Sequence, residues 1–109
     1  MRDFLPMFGN DAPQAVSRFR RWQGISGKTY LVSVYPIDDC PDYVDAVVMA
    51  IDGTSGASVW VGEAGSGGHG LRTMLQAAAL AGATEAHVHL LAGDRSARRA
   101  AIKDLDGRH

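Results

Sequence analysis

Apolar positions in this chain fall into short runs whose period changes from segment to segment, and those changes predict the elements. Lys28 to Tyr35 alternates, with Tyr30, Val32 and Val34 on one face and Pro36 as its stop, the pattern of a half-buried strand. Pro36 to Tyr43, with two prolines and three aspartates, reads as a loop, and Val44 to Ile51 is a nearly continuous apolar run that suits a buried strand. Asp52-Gly53 opens a turn into Ala57 to Val61, which predicts a hairpin. Leu71, Met74, Leu75 and Ala78 then recur at helical spacing up to Gly82, and Ala86 to Ala92 predicts a third strand. Asp94 is placed to cap a last helix running to about Leu105. Near the other end, Pro13 and Gly24 bracket a segment read as a short helix, Gln14 to Trp22. The whole predicts an N-terminal tail over residues 1–12 and a single mixed α and β domain over 13–109.

Charge and cysteine content narrow the chemistry. The 109 residues carry 11 Lys plus Arg against 12 Asp plus Glu, a net charge of −1, so any surface for nucleic acid must be local. One cysteine, Cys40, rules out an internal disulfide framework and a cysteine-based structural zinc site. No stretch reaches the roughly 18 apolar residues of a membrane span, and Met1 to Pro6 lacks the apolar core of a secretion signal. These features predict a soluble, cytoplasmic protein with no membrane partner.

Gly62-Glu63-Ala64-Gly65-Ser66-Gly67-Gly68-His69-Gly70 is the densest motif in the chain. Glycine permits positive φ and close backbone approach, so a strand-to-helix turn of this kind can cradle phosphate, with Gly62, Gly65, Gly67, Gly68 and Gly70 as candidates. The run from Gly65 to Gly70 even spells G-x-G-x-x-G, with Asp94 placed as the acid that would hold a ribose. Against a dinucleotide site stand the short chain, the single glycine-rich turn and the antiparallel hairpin before it. Histidines offer another constellation. His87 and His89 sit two apart and so share a strand face, but a metal needs a third ligand, which only His69 or Glu85 could supply, and no metal site is assigned.

One family accounts for more of the chain. Trp22-Gln23-Gly24-Ile25-Ser26-Gly27, then Tyr30, Val34, Tyr35 and Pro36, Asp45 to Met49, Trp60 to Gly65, Gly82 to Val88, and Asp104-Leu105 follow its order and spacing. The chain resembles small bacterial members of the GIY-YIG nuclease superfamily. That resemblance implies an α+β domain with a central, mainly antiparallel three-stranded sheet flanked by helices, here with an extra N-terminal strand around Tyr30 to Tyr35. It also implies phosphodiester hydrolysis by a metal-bound carboxylate, an arginine and two tyrosines, each supplying a different part of the barrier reduction.

Carried over position by position, that catalytic set is missing. The first tyrosine falls on Val48, the second on Trp60, the following threonine on Ala64, the arginine on Gly70 and the metal-binding glutamate on Ile102 or Lys103. Arg72 lies two residues beyond the arginine position, and Glu63, Glu85 and Asp104 are the nearby carboxylates that could stand in. The resulting expectation is a catalytically degenerate module for binding or scaffolding, with DNA or RNA as the candidate partner and no cofactor. Its candidate contacts are Arg18, Arg20, Arg21 and Trp22, beside Phe19, together with Arg72. The same cluster also fits an amphipathic helix with Phe19 and Trp22 in the core. The alternatives are a divergent endonuclease using Mg or Mn and, more remotely, nucleotide-phosphate binding by the glycine-rich loop.

Overall fold

The computed structural model describes residues 18–65 and 70–106. Five strands and two helices follow in the order β1 (Arg18–Gln23), β2 (Thr29–Pro36), β3 (Val47–Ile51), β4 (Ser58–Glu63), α1 (Leu71–Leu80), β5 (Glu85–His89) and α2 (Arg95–Asp106). They form one sheet of order β1-β2-β5-β3-β4 in which every neighbouring pair is antiparallel. Two hairpins, β1-β2 and β3-β4, are thus joined by β5, which enters between them after α1.

This corrects the expected three-stranded sheet with one extra strand: the sheet has five strands, and the fifth comes from residues read as helix. Arg18 to Gln23 pairs along its whole length with β2, from Arg18 opposite Val34 to Gln23 opposite Thr29. Gly24, taken as a helix stop, instead belongs to the hairpin turn, where its N–H donates to the Lys28 carbonyl at 2.8 Å and Gly27 has a φ of +90°. The three-residue spacing of Phe19 and Trp22 imitated a helix face. In a strand the same residues point to opposite faces, and the pairing is decided by β2, which the local pattern does not contain. Residues 14–17 of the expected helix lie outside the described residues.

β4 and β5 run in the same direction, but antiparallel β3 lies between them, so the segment from Ala57 to Asp94 is not a pair of adjacent parallel strands of the dinucleotide-binding kind. β3 is buried on both faces, which explains its unbroken apolar sequence. On one face Val48, Ala50, Ala86 and Val88 pack with Leu71, Leu75 and Ala78 of α1. On the other, Tyr30 and Val47 pack with Ala92 from the β5-α2 connection and with Ala101, Ile102 and Leu105 of α2, and Trp22 joins them from β1. The predicted cap is in place, with Asp94 Oδ1 accepting the Ala97 N–H at 2.7 Å. No helix among the described residues is long and apolar enough to cross a membrane.

Candidate nucleic-acid interface

The β-strand geometry splits the arginine-aromatic cluster between two faces. Arg18, Arg20 and Trp22 stand opposite Val34, Val32 and Tyr30 and so share the α2 side, whereas Phe19 and Arg21 point to the α1 side. Phe19 is 67% exposed, so it is not the core residue that a helix would have made of it. Arg18 lies 4.0 Å from Glu85, Arg20 also helps to lower the pKa of that carboxylate, and Arg21 makes no ion pair among the described residues. A shallow depression lined by Phe19, Arg20, Arg21 and Leu31 joins the two arginines to the exposed ring. Arg72 is not brought to this group. It stands at the start of α1 and borders a small pocket with Ile37, Asp38 and Cys40. In that pocket wall Cys40 is buried, which pushes its thiol up to about 11 and leaves it a poor nucleophile.

Trp22 is tethered from within. Its Nε1–H donates to His87 Nδ1 at 2.9 Å, and because indole nitrogen only donates, Nδ1 must accept. The His87 proton is therefore on Nε2, which donates to Glu85 Oε1 at 2.9 Å. Burial holds the His87 pKa below its ordinary 6.5 against the opposing pull of Glu85, and the Trp22 N–H occupies the site a second proton would need. The hydrogen bond from His87 in turn lowers the Glu85 pKa.

The sign of the linkage follows from this arrangement. Below pH 6.5 the unfolded chain takes up a proton that folded His87 refuses. Stability therefore falls as pH drops below that point, by at most about 1.4 kcal/mol per pH unit. A further loss follows below the ordinary carboxylate values, because Glu85 and Asp104 are both depressed in the fold. Urea midpoints across this range, with the His87 ring followed by NMR, check the effect. A His87 ring that titrates at its ordinary pKa, or a stability that is flat down to the carboxylate range, contradicts it.

The same bonds bear on metal and catalytic readings. His87 and His89 do share a face, as their spacing requires, but both nitrogens of His87 are engaged and His89 Nδ1 bonds the Leu31 carbonyl at 2.8 Å. Among the described residues no group of three His, Cys, Asp or Glu is placed to hold a metal ion. His69 and His109 lie outside the described residues.

The positions that carry the family comparison are divided between the two faces. Val48, fully buried, and Trp60 pack in the α1 cluster, Trp60 lying over Gly62 so that a side chain there would collide with the indole. Ile102 packs in the α2 cluster on the opposite face, with Lys103 exposed beside it. Ala64 is buried next to α1. Each carboxylate that could stand in is engaged: Glu63 with Arg98 at 2.5 Å, Glu85 with His87, and Asp104 with the Ser26 N–H and hydroxyl and the Tyr30 hydroxyl.

The glycine-rich turn meets a similar obstacle. Gly70 is the N-cap of α1, and Asp42 brings its carboxylate there from the loop between β2 and β3, accepting the Arg72 N–H at 3.2 Å. The end of the helix that would attract a phosphate thus already faces an anion from the chain itself. Gly62 lies in β4 and Gly65 has a φ of +81°, whereas Gly67 and Gly68 lie outside the described residues. Asp42, Asp104 and the Arg98-Glu63 pair were not singled out for these structural roles by the sequence pattern. Their partners lie 30, 78 and 35 residues away, and local spacing carries no signal for such pairings. Comparison with family models, with curated proteins and with solved structures finds no match to this chain.

Proposed function

We propose that this chain is a non-catalytic binding module acting in the cytoplasm on single-stranded nucleic acid through the outer strand β1. The observation that carries the reading is the exposed edge of β1, where Arg20 and Arg21 border the same shallow depression as a phenyl ring that is 67% exposed. Arginine neutralises phosphate, and an exposed ring offers a platform to an unstacked base, which a duplex does not present. Trp22 takes a supporting role, since its bond to His87 holds β1 in place and leaves stacking to Phe19. The involvement of Glu63, Glu85 and Asp104 in other bonds favours binding over hydrolysis.

Fluorescence anisotropy with a labelled single-stranded oligonucleotide, run as a salt series, tests the proposal. Binding is expected to weaken with salt. In Arg20→Ala/Arg21→Ala the log-log slope falls by about 0.7 per lost phosphate contact, and Phe19→Ala costs about 1–3 kcal/mol of affinity. Absence of binding at low salt, or binding indifferent to all three substitutions, rejects it.

A further inference from the structure

An open cleft of about 380 Å³ lies between α2 and the start of β2, within the size range of small-molecule sites. Its helix wall is made of Ala97, Ala100 and Ala101, spaced so that three methyl groups share one face and leave the space unfilled. Tyr30, Leu31 and His89 form the sheet wall, and exposed Lys28 borders it.

His89 is the informative group. It is the last residue of β5, stands opposite Val47 on the α2 side and is only 7% exposed. Its Nδ1 faces the Leu31 carbonyl, which can only accept, so the ring proton is on Nδ1 and Nε2 carries a bare lone pair in the neutral ring. No residue partners Nε2 among the described residues. His87, two residues earlier, has both nitrogens satisfied, so the open nitrogen of His89 is specific to the wall of the cleft. Because the cleft is open, solvent meets this acceptor in the free protein, and a ligand bearing a donor takes the place of that water. Lys28 adds a charge: its ammonium lies 5.4 Å from the Tyr30 ring centre, helps to lower the Asp104 pKa from a distance, and makes no ion pair within 4 Å among the described residues.

We infer that this cleft binds a small heteroaromatic anion: a flat apolar body against the alanines of α2, a ring N–H donating to His89 Nε2, and an acidic group facing Lys28. The inference is independent of the β1 surface. Indole-3-acetate and its 1-methyl analogue are suitable probes, since they differ only in the N–H. In amide and imidazole NMR spectra of the intact chain, indole-3-acetate at millimolar concentration shifts His89, Leu91 and Ala100 and moves the Nε2 resonance of His89. The 1-methyl analogue is expected to bind about tenfold more weakly, the effect of one hydrogen bond to a buried acceptor.

Lys28→Met weakens indole-3-acetate but not neutral 3-methylindole. Ala100→Leu fills the cleft and abolishes binding of both, and Ala97→Leu does the same if the first variant loses its dispersed spectrum. Equal binding of the two analogues, no shifts at the cleft, or shifts that survive a folded cleft-filling variant overturns the inference.

Discussion

Arg98→Met lowers the stability of this fold by about 3–5 kcal/mol, and adding Glu63→Leu restores most of the loss. Arg98 is a charged residue on α2 that is nonetheless buried, its Nε donating to Glu63 Oε2 at 2.5 Å and its Nη1 to the Ala92 carbonyl at 3.4 Å. A third contact, 3.7 Å to Asp45, reaches the approach to β3, where Asp45 takes the left-handed φ of 55° that aspartate tolerates better than most residues. Glu63 is 14% exposed at its side chain, so removing the guanidinium leaves a carboxylate with neither a partner nor full hydration. Replacing both ends by apolar groups of similar size removes that penalty, so the double variant is expected to lie near the parent. Urea unfolding of the parent, both single variants and the double variant closes the cycle. Equal stability of Arg98→Met and the parent would show that the pair does not hold α2 to β4. With a total stability of about 5–15 kcal/mol for a domain of this kind, the single variant is expected to lose from about a fifth to all of that margin.

Val48→Tyr, which introduces the first tyrosine of the nuclease pattern that the sequence resembles, yields a destabilised protein with no cleavage activity. Val48 is fully buried at the centre of β3, with Ala50, Ala86 and Val88 around it and Leu71, Leu75 and Ala78 of α1 above. A phenol there overpacks the core and buries a hydroxyl with no acceptor provided, at a combined cost of roughly 2–6 kcal/mol. Thermal melts followed by circular dichroism measure the loss, and plasmid nicking in the presence of Mg or Mn reports the chemistry. A variant that melts like the parent would show that the α1 core has room there. Cleavage by it would overturn the non-catalytic reading.

Much of the fold was legible locally. β2 followed from alternation with Tyr30, Val32 and Val34 inward, β3 from an apolar run that only a strand buried on both faces requires, and α1 from the spacing of Leu71, Leu75 and Ala78. The Asp94 cap was legible because the bond it makes spans three residues. β1 was not, since Arg18 to Gln23 carries polar residues on both faces, as an outer strand often does, and its two aromatic residues happen to suit a helix. The candidate sites were legible only as residue types. Arg20 and Arg21 were visible as cations, but their place beside an exposed Phe19 emerged only once β1 was placed at the sheet edge. His89 was visible as half of a histidine pair, while its open nitrogen depends on the Leu31 carbonyl 58 residues away.

By itself, then, the sequence determined the period of each buried element, the termini of both helices and the absence of a disulfide framework, all properties carried by residue types and neighbours along the chain. The tertiary structure decided the number and order of strands, which carboxylates are engaged, which arginines border the exposed ring, and which histidine nitrogen has no protein partner among the described residues. Those depend on partners brought together by a sheet in which β5, late in the chain, is inserted between β2 and β3. Hydrogen bonds and ion pairs across such separations are set by geometry at distances of a few ångströms, and residue spacing along the chain does not encode them.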